Sequence, residues 1–244
     1  MSHDDREMQD VTATREPPDD VLAPRGHTAA LVGLYLAVAA TGVVLQGRGT
    51  PPVAVPSSGG RVVAMYLPLL VVQWGITLYV CRVGRARNVL GDLLGARWTS
   101  IGRAVGDVAL AAGGWVAIKA VELAWVSVFA SGVAPAVTSL LPQSLPERLT
   151  WAVVAVSVGF CEEVVFRGYL QRQFEGFWGK PWLAVGLQAL LFGVAHGEQG
   201  ASAVARAALY GVGFGALARW RRSLVPGILC HAWTDLASGL LRGV

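Results

Sequence analysis

TAALVGLYLAVAATGVVLQ, residues 28–46, contains no charged side chain, and neither does VVAMYLPLLVVQWGITLYVC, residues 62–81. A helix needs about 20 predominantly apolar residues to cross the hydrocarbon core of a bilayer. Each stretch is about that long by itself, without the residues on either side of it. The two stretches therefore predict an all-α fold in which helices span a membrane.

The composition of the whole chain supports a polytopic membrane protein. Of its 244 residues, 54% are hydrophobic and 15% are charged, whereas a soluble domain of this length interleaves apolar and polar residues. Seven apolar segments can span: residues 28–46, 62–81, 104–131, 149–174, 182–196, 203–219 and 224–241. We expect a multi-pass protein of the cell membrane, a transmembrane helix bundle of about seven spanning helices in a lipid bilayer, with no nucleic-acid partner.

Positively charged residues are concentrated in alternate connections between these segments. The second, fourth and sixth connections hold Arg82, Arg85, Arg87, Arg97, Arg103, Arg172, Lys180, Arg219, Arg221 and Arg222. The first and third connections hold only Arg48, Arg61 and Arg148. Because positive side chains favour the cytoplasmic side of a membrane, the pattern predicts a cytoplasmic N-terminus and a C-terminus outside.

The first 26 residues differ in composition from the rest of the chain. They are rich in Asp, Glu, Arg and Pro, as in Pro17-Pro18-Asp19-Asp20. Such a segment cannot bury enough apolar surface to offset the entropy lost on ordering. We expect a disordered, polar N-terminal tail at residues 1–26, followed by a transmembrane helical domain at residues 27–244.

Charged residues also occur where the apolar pattern should exclude them. The fourth segment contains Ser157-Val-Gly-Phe-Cys-Glu162-Glu163-Val-Val-Phe-Arg167-Gly168. A charge at the centre of a spanning helix costs about 2.5–3.5 kcal/mol on insertion scales, so these groups need partners or a wet cavity. Glu163 and Arg167 lie four residues apart and are expected to form an ion pair on one helix face. Glu162 points about 100° away from Glu163 around the helix and lacks that partner.

Two histidines, His196 and His231, lie deep in apolar segments as well. Phe192 and His196 share one face of the fifth segment, as His231 and Asp235 share one face of the seventh. A single buried histidine is more often a hydrogen-bonded core residue than a functional one. Two such residues beside an intramembrane carboxylate pair indicate a polar site.

A predicted hairpin places two of these groups at similar depth. The fourth and fifth segments meet in a turn at Gly179-Lys180. Glu163 lies sixteen residues before Gly179, and His196 lies sixteen residues after Lys180. Because a poorly solvated carboxylate is a stronger base than one in water, a glutamate at this depth is a candidate general base.

Other polar groups within the segments have a structural interpretation. Lys119 and Glu122, three residues apart in the third segment, are expected to neutralise each other. Asp107, near the inner end of the same segment, is expected to reach water. Small residues recur every four positions in the sixth segment and indicate close helix packing: Ala207, Gly211 and Gly215.

Three motifs follow one another on three successive apolar segments: Glu162-Glu163-xxx-Arg167, Phe192-xxx-His196 and His231-xxx-Asp235. Together they resemble the motifs of the CPBP family, which comprises CAAX prenyl endopeptidases and bacterial bacteriocin-processing and abortive-infection proteins. The resemblance covers about residues 149–241 and implies a catalytic core there. Each motif alone is weak evidence, and the ordered set carries the resemblance. The chain departs from the family at the last motif, which often ends in Asn where this sequence has Asp235.

The resemblance implies an intramembrane endopeptidase in which glutamate and histidine side chains activate a water molecule. Carried over to this sequence, it implies Glu162 as the general base and His196 as the residue that helps orient the water. His231 and Asp235 would stabilise the oxyanion. Asp235 would either orient His231 or, when protonated, donate a hydrogen bond itself.

In the same comparison, Glu163 and Arg167 would hold the site together, and no cofactor is needed. A metal-dependent alternative uses Glu162, His196 and His231 as ligands of a catalytic zinc ion, which normally takes three protein ligands. No HExxH spacing is present in the sequence. We therefore rank the metal-free mechanism ahead of the zinc mechanism.

The implied substrate is a membrane-embedded or lipidated protein or peptide. Three substrate classes remain possible: prenylated CAAX-like tails, leader peptides of exported peptides and C-terminal sorting tails of surface proteins.

A second class of function also agrees with the sequence. A non-catalytic membrane protein that binds a peptide, such as an immunity or scaffold protein, could use the same polar cluster.

The predicted orientation can be tested by labelling introduced cysteines in intact cells. A cysteine introduced beside Arg221 should react with a membrane-impermeant reagent only after permeabilisation, because we place that connection in the cytoplasm. A cysteine introduced within residues 57–60 should react directly. The chain with only its native cysteines gives the background, and the opposite pattern of labelling would reverse the orientation.

Overall fold

The computed structural model describes residues 21–47, 60–84, 89–96, 98–129 and 135–241. These residues form a bundle of helices without a β-strand among them, which confirms the all-α fold class. The helices are α1 (Arg25–Gly47), α2 (Val62–Val83), α3 (Val89–Leu94), α4 (Ile101–Phe129), α5 (Pro135–Leu140), α6 (Leu145–Trp178), α7 (Pro181–Val194), α8 (Ala201–Arg221) and α9 (Val225–Leu240). The first turn of α2, Val62–Tyr66, is π-helical.

Five of the described helices are long and apolar enough to cross a membrane, namely α1, α2, α4, α6 and α8. They expose large apolar side chains such as Val71, Ile101 and Leu123. Lipid, rather than water, suits such a surface, and the chain is a membrane protein. Helices α7 and α9 contain only 14 and 16 residues. The predicted total of seven spans and the orientation of the N-terminus stay predictions.

Helix α6 lies at the centre of the bundle. In its apolar window 56% of the residues are buried, against 11–28% in the other four helices long enough to span. The helix begins after Ser144, where the buried Glu147 carboxylate accepts hydrogen bonds from the backbone N–H groups of Gln143 (2.8 Å) and Ser144 (3.3 Å). Arg61, just before α2, pairs with the same carboxylate at 3.4 Å. The charges of Glu147 and Arg61 are therefore matched.

The middle of α6 is wound as a π-helix over Glu163–Leu170. Hydrogen bonds in a π-helix join residues five apart, as in the bond from the Gln171 N–H to the Phe166 carbonyl. Short π-helical segments within α-helices are rare and frequently mark functional sites. Helix α6 ends at Gly179, whose left-handed conformation (φ 62°) turns the chain into α7. This is the predicted hairpin turn.

Helices α7 and α8 pack closely because small residues face the contact. A Cβ atom on Gly211 would lie 2.8 Å from the Cα atom of Ala189, and one on Gly215 would lie 2.5 Å from Nε2 of Gln188. Across the contact, the Gln188 side chain donates a hydrogen bond of 2.8 Å to the Gly211 carbonyl. Ala207, on the same stripe, is buried. The predicted stripe of small residues thus serves helix packing.

Asp107 lies in α4 and is completely buried. Its carboxylate accepts hydrogen bonds from the Trp98 indole (2.8 Å) and from Nε of Arg221 at the end of α8 (2.6 Å). The expectation that Asp107 reaches water is therefore wrong, because the last turn of α8 covers it. The other predicted pair in α4 is present, with Lys119 Nζ 2.7 Å from Glu122 Oε2.

The predicted N-terminal tail lies largely outside the described residues, which begin at Val21. The backbone N–H groups of Leu22 and Ala23 donate hydrogen bonds to the Gln173 side chain, at 2.7 and 3.2 Å. Gln173 donates in return to the Ala23 carbonyl, at 2.9 Å. The last part of α6 therefore holds the chain where it enters α1.

Candidate active site

Glu163 and Arg167 form a fully buried ion pair inside the π-helical segment of α6. Arg167 Nη1 lies 2.9 Å from Glu163 Oε1, and neither side chain has exposed surface. The predicted ion pair is therefore present. The same carboxylate oxygen accepts a hydrogen bond of 3.1 Å from Nδ1 of His231 in α9. Glu163 is thus the residue at which the first and third motifs meet.

Aromatic rings enclose the Arg167 side chain. Its guanidinium carbon lies 4.3 Å from the ring centroid of Phe192, 5.3 Å from that of Phe214 and 5.9 Å from that of Phe166. Cation–π attraction stabilises a guanidinium over a ring face at such distances. The guanidinium nitrogens have no aligned hydrogen-bond acceptor among the described residues. Glu163 and the three rings therefore compensate the cost of burying this charge.

The adjacent glutamate, Glu162, has different surroundings. Its Oε1 accepts a hydrogen bond of 2.7 Å from the side-chain amide of Gln73 in α2. Its Oε2 lies 3.7 Å from Nε2 of His231 and has no hydrogen-bond partner in the described part of the chain. The Glu162 side chain is 12% exposed, against 0% for Glu163. Each carboxylate has one oxygen without a hydrogen-bond partner among the described residues, and the Glu162 side chain is the more exposed of the two.

Three carboxylates surround the His231 ring. Nδ1 contacts Glu163, and Nε2 lies 3.7 Å both from Glu162 Oε2 and from Asp235 Oδ2. The ring stacks on Phe214, with centroids 5.4 Å apart and planes at 12°, which limits its rotation. Asp235, one turn further along α9, is 31% exposed. Among the groups in contact here, the cluster is most accessible at Asp235.

Two glycines allow α9 to approach this cluster. A Cβ atom on Gly159 of α6 would lie 2.6 Å from the backbone nitrogen of Ala232, and one on Gly227 of α9 would lie 3.0 Å from Glu163 Oε2. A larger residue at Gly159 would push α9 away from α6, and one at Gly227 would press on the Glu163 carboxylate. Small size at these two positions is therefore needed for His231 to reach Glu163.

His196 follows the last turn of α7, which ends at Val194. Its Nδ1 donates a hydrogen bond of 2.8 Å to the carbonyl of Phe192. Because a carbonyl oxygen only accepts, this bond assigns a proton to Nδ1 and leaves the Nε2 lone pair available in the neutral ring. The Phe192 ring centroid lies 4.7 Å from that of His196 and 6.0 Å from that of His231. Phe192 thus stands between the two histidines.

Five of the six predicted site residues form one connected cluster: Glu162, Glu163, Arg167, His231 and Asp235. His196 joins it through Phe192, without an ion pair to any described carboxylate. The catalytic roles of all six stay predictions.

The sequence patterns did not identify Gln73 and Phe214 as site residues. Gln73 is the single side-chain amide in the uncharged stretch 62–81, which is a usable signal, whereas nothing in the sequence distinguishes Phe214 from the other aromatic residues.

The side chains expected to bind zinc in the metal-dependent alternative do not lie in a metal-binding arrangement. In the described residues, no group of three or more His, Cys, Asp or Glu side chains could hold a metal ion. The expected ligands Glu162, His196 and His231 therefore do not form a ligand set in this arrangement. The metal-free mechanism stays a prediction.

Residues 143–237 match the family model described as Rce1-like, type II CAAX prenyl endopeptidase Rce1-like. These residues are similar to that family. The matched segment covers less than half of the chain but contains all six predicted site residues, and it agrees with the resemblance of the motifs to the CPBP family. No curated protein and no solved structure matches the chain significantly.

Proposed function

We propose that this protein is an intramembrane endopeptidase in which Glu162, assisted by His196, activates water to hydrolyse a peptide bond of a membrane-associated protein. One observation carries the proposal. In the middle of a long apolar helix, a carboxylate with a free oxygen lies beside an imidazole that a buried ion pair holds in place. Charges are costly at such positions, and the Glu163–Arg167 pair alone would satisfy a purely structural role.

The surroundings of Glu162 suit a general base. Gln73 binds one carboxylate oxygen, which restrains the side chain and leaves Oε2 to accept a proton from water. His196 presents Nε2 to the same water, since its Nδ1 is bound to the Phe192 carbonyl. The hydroxide attacks the carbonyl carbon of the scissile bond. Glu162 then returns its proton to the amine that leaves when the C–N bond breaks.

His231 is the residue we assign to the oxyanion of the tetrahedral intermediate. Glu163 and Phe214 restrain the ring, so that Nε2 is the nitrogen left to face the substrate. A doubly protonated ring would donate from Nε2 to the oxyanion. Its charge would be matched by Glu163, 3.1 Å from Nδ1, and by Asp235, 3.7 Å from Nε2. Asp235 orients His231 or, when protonated, donates a hydrogen bond of its own.

The substrate we propose is a membrane-embedded or lipidated protein or peptide. A prenylated CAAX-like tail is the first candidate, because the matched family is described as a CAAX prenyl endopeptidase. The reaction needs no cofactor in this mechanism. We place the protein in the cell membrane, where both the enzyme and a lipidated substrate share the bilayer.

Replacing each of the two adjacent glutamates by glutamine separates chemistry from folding. Glu162→Gln removes the base and keeps the shape, so turnover of a prenylated CAAX peptide should fall by about 10²–10⁴-fold with little change in melting temperature. Glu163→Gln leaves Arg167 buried without its charge partner, an error that costs about 3–5 kcal/mol in buried pairs. This second variant should melt at a lower temperature and accumulate poorly.

Both glutamine variants are measured beside the unaltered protein in one detergent, for turnover and for melting temperature. A peptide-binding scaffold or immunity protein would keep its function after Glu162→Gln, which would exclude the protease mechanism. If Glu162→Gln retains turnover while a folded Glu163→Gln protein is inactive, the roles of the two glutamates are reversed.

Gln73 is a positioning residue in this mechanism, and its replacement by leucine tests that role. Gln73→Leu removes the hydrogen bond to Glu162, so kcat should fall by about tenfold while KM and the melting temperature change little. Gln188→Leu is the matched control, because it deletes a buried amide that binds Gly211 in the α7–α8 contact. That control should lower the melting temperature and leave kcat of the folded protein unchanged. Equal losses of kcat in the two variants would exclude a positioning role.

Metal dependence is tested by prolonged chelation of the purified protein. Cleavage should persist with little change, and elemental analysis should find no stoichiometric zinc, because the proposed base acts on water directly. Loss of activity on chelation followed by recovery on addition of zinc would establish the metal-dependent alternative.

A further inference from the structure

Arg206 is a positively charged residue in the first half of α8, a helix that is long and apolar enough to span the membrane. It is half-buried, and it forms no ion pair with a carboxylate in the described part of the chain, in contrast to Arg61, Arg167 and Arg221. Its Nη1 donates a hydrogen bond of 3.0 Å to the Ser202 hydroxyl. Charges within spanning helices are costly and commonly mark substrate or ion pathways. Arg206 is therefore able to bind an anionic group from outside the chain.

Contacts of the neighbouring turns show which way Arg206 faces. The Ser202 hydroxyl, one turn before it, also accepts a hydrogen bond of 2.8 Å from the Trp125 indole of α4. Tyr210, one turn after it, packs together with Trp115 against the apolar cluster between α4, α8 and α9. Because residues four apart lie on one face of a helix, Arg206 lies on the row of α8 that faces α4 and α9.

The same row of α8 leads to the proposed catalytic cluster. Phe214, four residues after Tyr210, stacks on the His231 ring with centroids 5.4 Å apart. Arg206 lies two turns before Phe214, which is about 12 Å along the helix axis. An extended peptide spans about 3.3–3.6 Å per residue, so three or four residues cover roughly that distance. A peptide whose scissile carbonyl lies at His231 therefore brings a group three or four residues away to Arg206.

Accessible polar side chains lie between the cluster and Arg206. Asp235 lies beyond His231 in the direction of Arg206, because α8 and α9 both extend from the short turn at residues 222–224. Its side chain is 31% exposed. Lys119 and Glu122 of α4, which pair with each other, are 32% and 27% exposed. Lys119 also interacts electrostatically with Asp235. A peptide that extends from Asp235 towards Arg206 would thus pass polar side chains.

We propose that Arg206 binds the C-terminal carboxylate of the substrate and so selects a scissile bond three or four residues from the end of the substrate chain. This inference rests on the proposed protease function. With Nη1 bound to Ser202, the Nε–H and Nη2–H groups can bind the two carboxylate oxygens through parallel hydrogen bonds. The C-terminus is an anion that any such tail carries, whatever its side chains.

The position of Arg206 also distinguishes the substrate classes. In a CAAX-like tail the cysteine is the fourth residue from the end, which fits the spacing between His231 and Arg206. A leader peptide or a sorting tail that is cut far from its C-terminus would leave Arg206 without a carboxylate. Arg206 is thus a specificity-determining residue that favours the CAAX-like tail.

The test compares cleavage of two peptides by the purified full-length protein in one detergent. Both are the same prenylated CAAX peptide, one with a free C-terminal carboxylate and the other with a C-terminal amide. Hydrogen bonds to a charged group change affinity by about 10–100-fold, so kcat/KM should be higher for the acid by about that factor. Equal kcat/KM values would overturn the inference and leave the protease function standing. Cleavage of neither peptide would overturn the protease function, and the inference with it.

Variants connect the preference for the acid to Arg206. Arg206→Gln should abolish it, with kcat/KM for the acid falling to the value for the amide. Arg206→Lys keeps the charge without the paired hydrogen bonds, so it should retain only part of the preference, and it keeps the test valid if the glutamine variant fails to fold. Arg219→Gln is the matched control, because Arg219 lies in the last turn of the same helix and pairs with Glu175. That control should keep the full preference. An unchanged preference in the folded Arg206 variants, or an equal loss in Arg219→Gln, would overturn the assignment.

Discussion

Burial of the Glu163–Arg167 ion pair in an apolar bundle is the constraint on which the surrounding structure depends. Such a pair is tolerated only where the remaining charge and hydrogen-bonding capacity is compensated. His231 supplies a donor to Glu163, and three aromatic rings cover Arg167. The close approach of α9 at Gly227 follows from the same requirement, because His231 reaches Glu163 only if that helix packs against α6.

Two glutamates that are adjacent in the chain receive opposite environments because a helix points successive side chains in different directions. Glu163 faces α9 and is fully buried, whereas Glu162 accepts a hydrogen bond from Gln73 of α2 and is partly exposed. This difference lets one glutamate stabilise the fold while the other remains available for chemistry. It also makes α2, which lies outside the matched family segment, part of the proposed active site.

Charges at both ends of the bundle are matched in a different way. At the start of α6, Glu147 joins Arg61 to the backbone of the preceding turn, and at the other end of the helix Glu175 pairs with Arg219 of α8. The Glu147 pair is buried, whereas the Glu175–Arg219 pair is exposed and can reach headgroups or water.

The sequence by itself determined the membrane character, the order of the three motifs and the pairs formed within one helix. Spacing of three or four residues sets which side chains are neighbours, and this is why Glu163–Arg167 and Lys119–Glu122 were predictable. Only the tertiary structure decided that Gln73 binds Glu162 and that Arg221 covers Asp107. A spanning helix that is apolar on every side carries no stripe that identifies its inward face, so contacts between helices could not be read from the sequence.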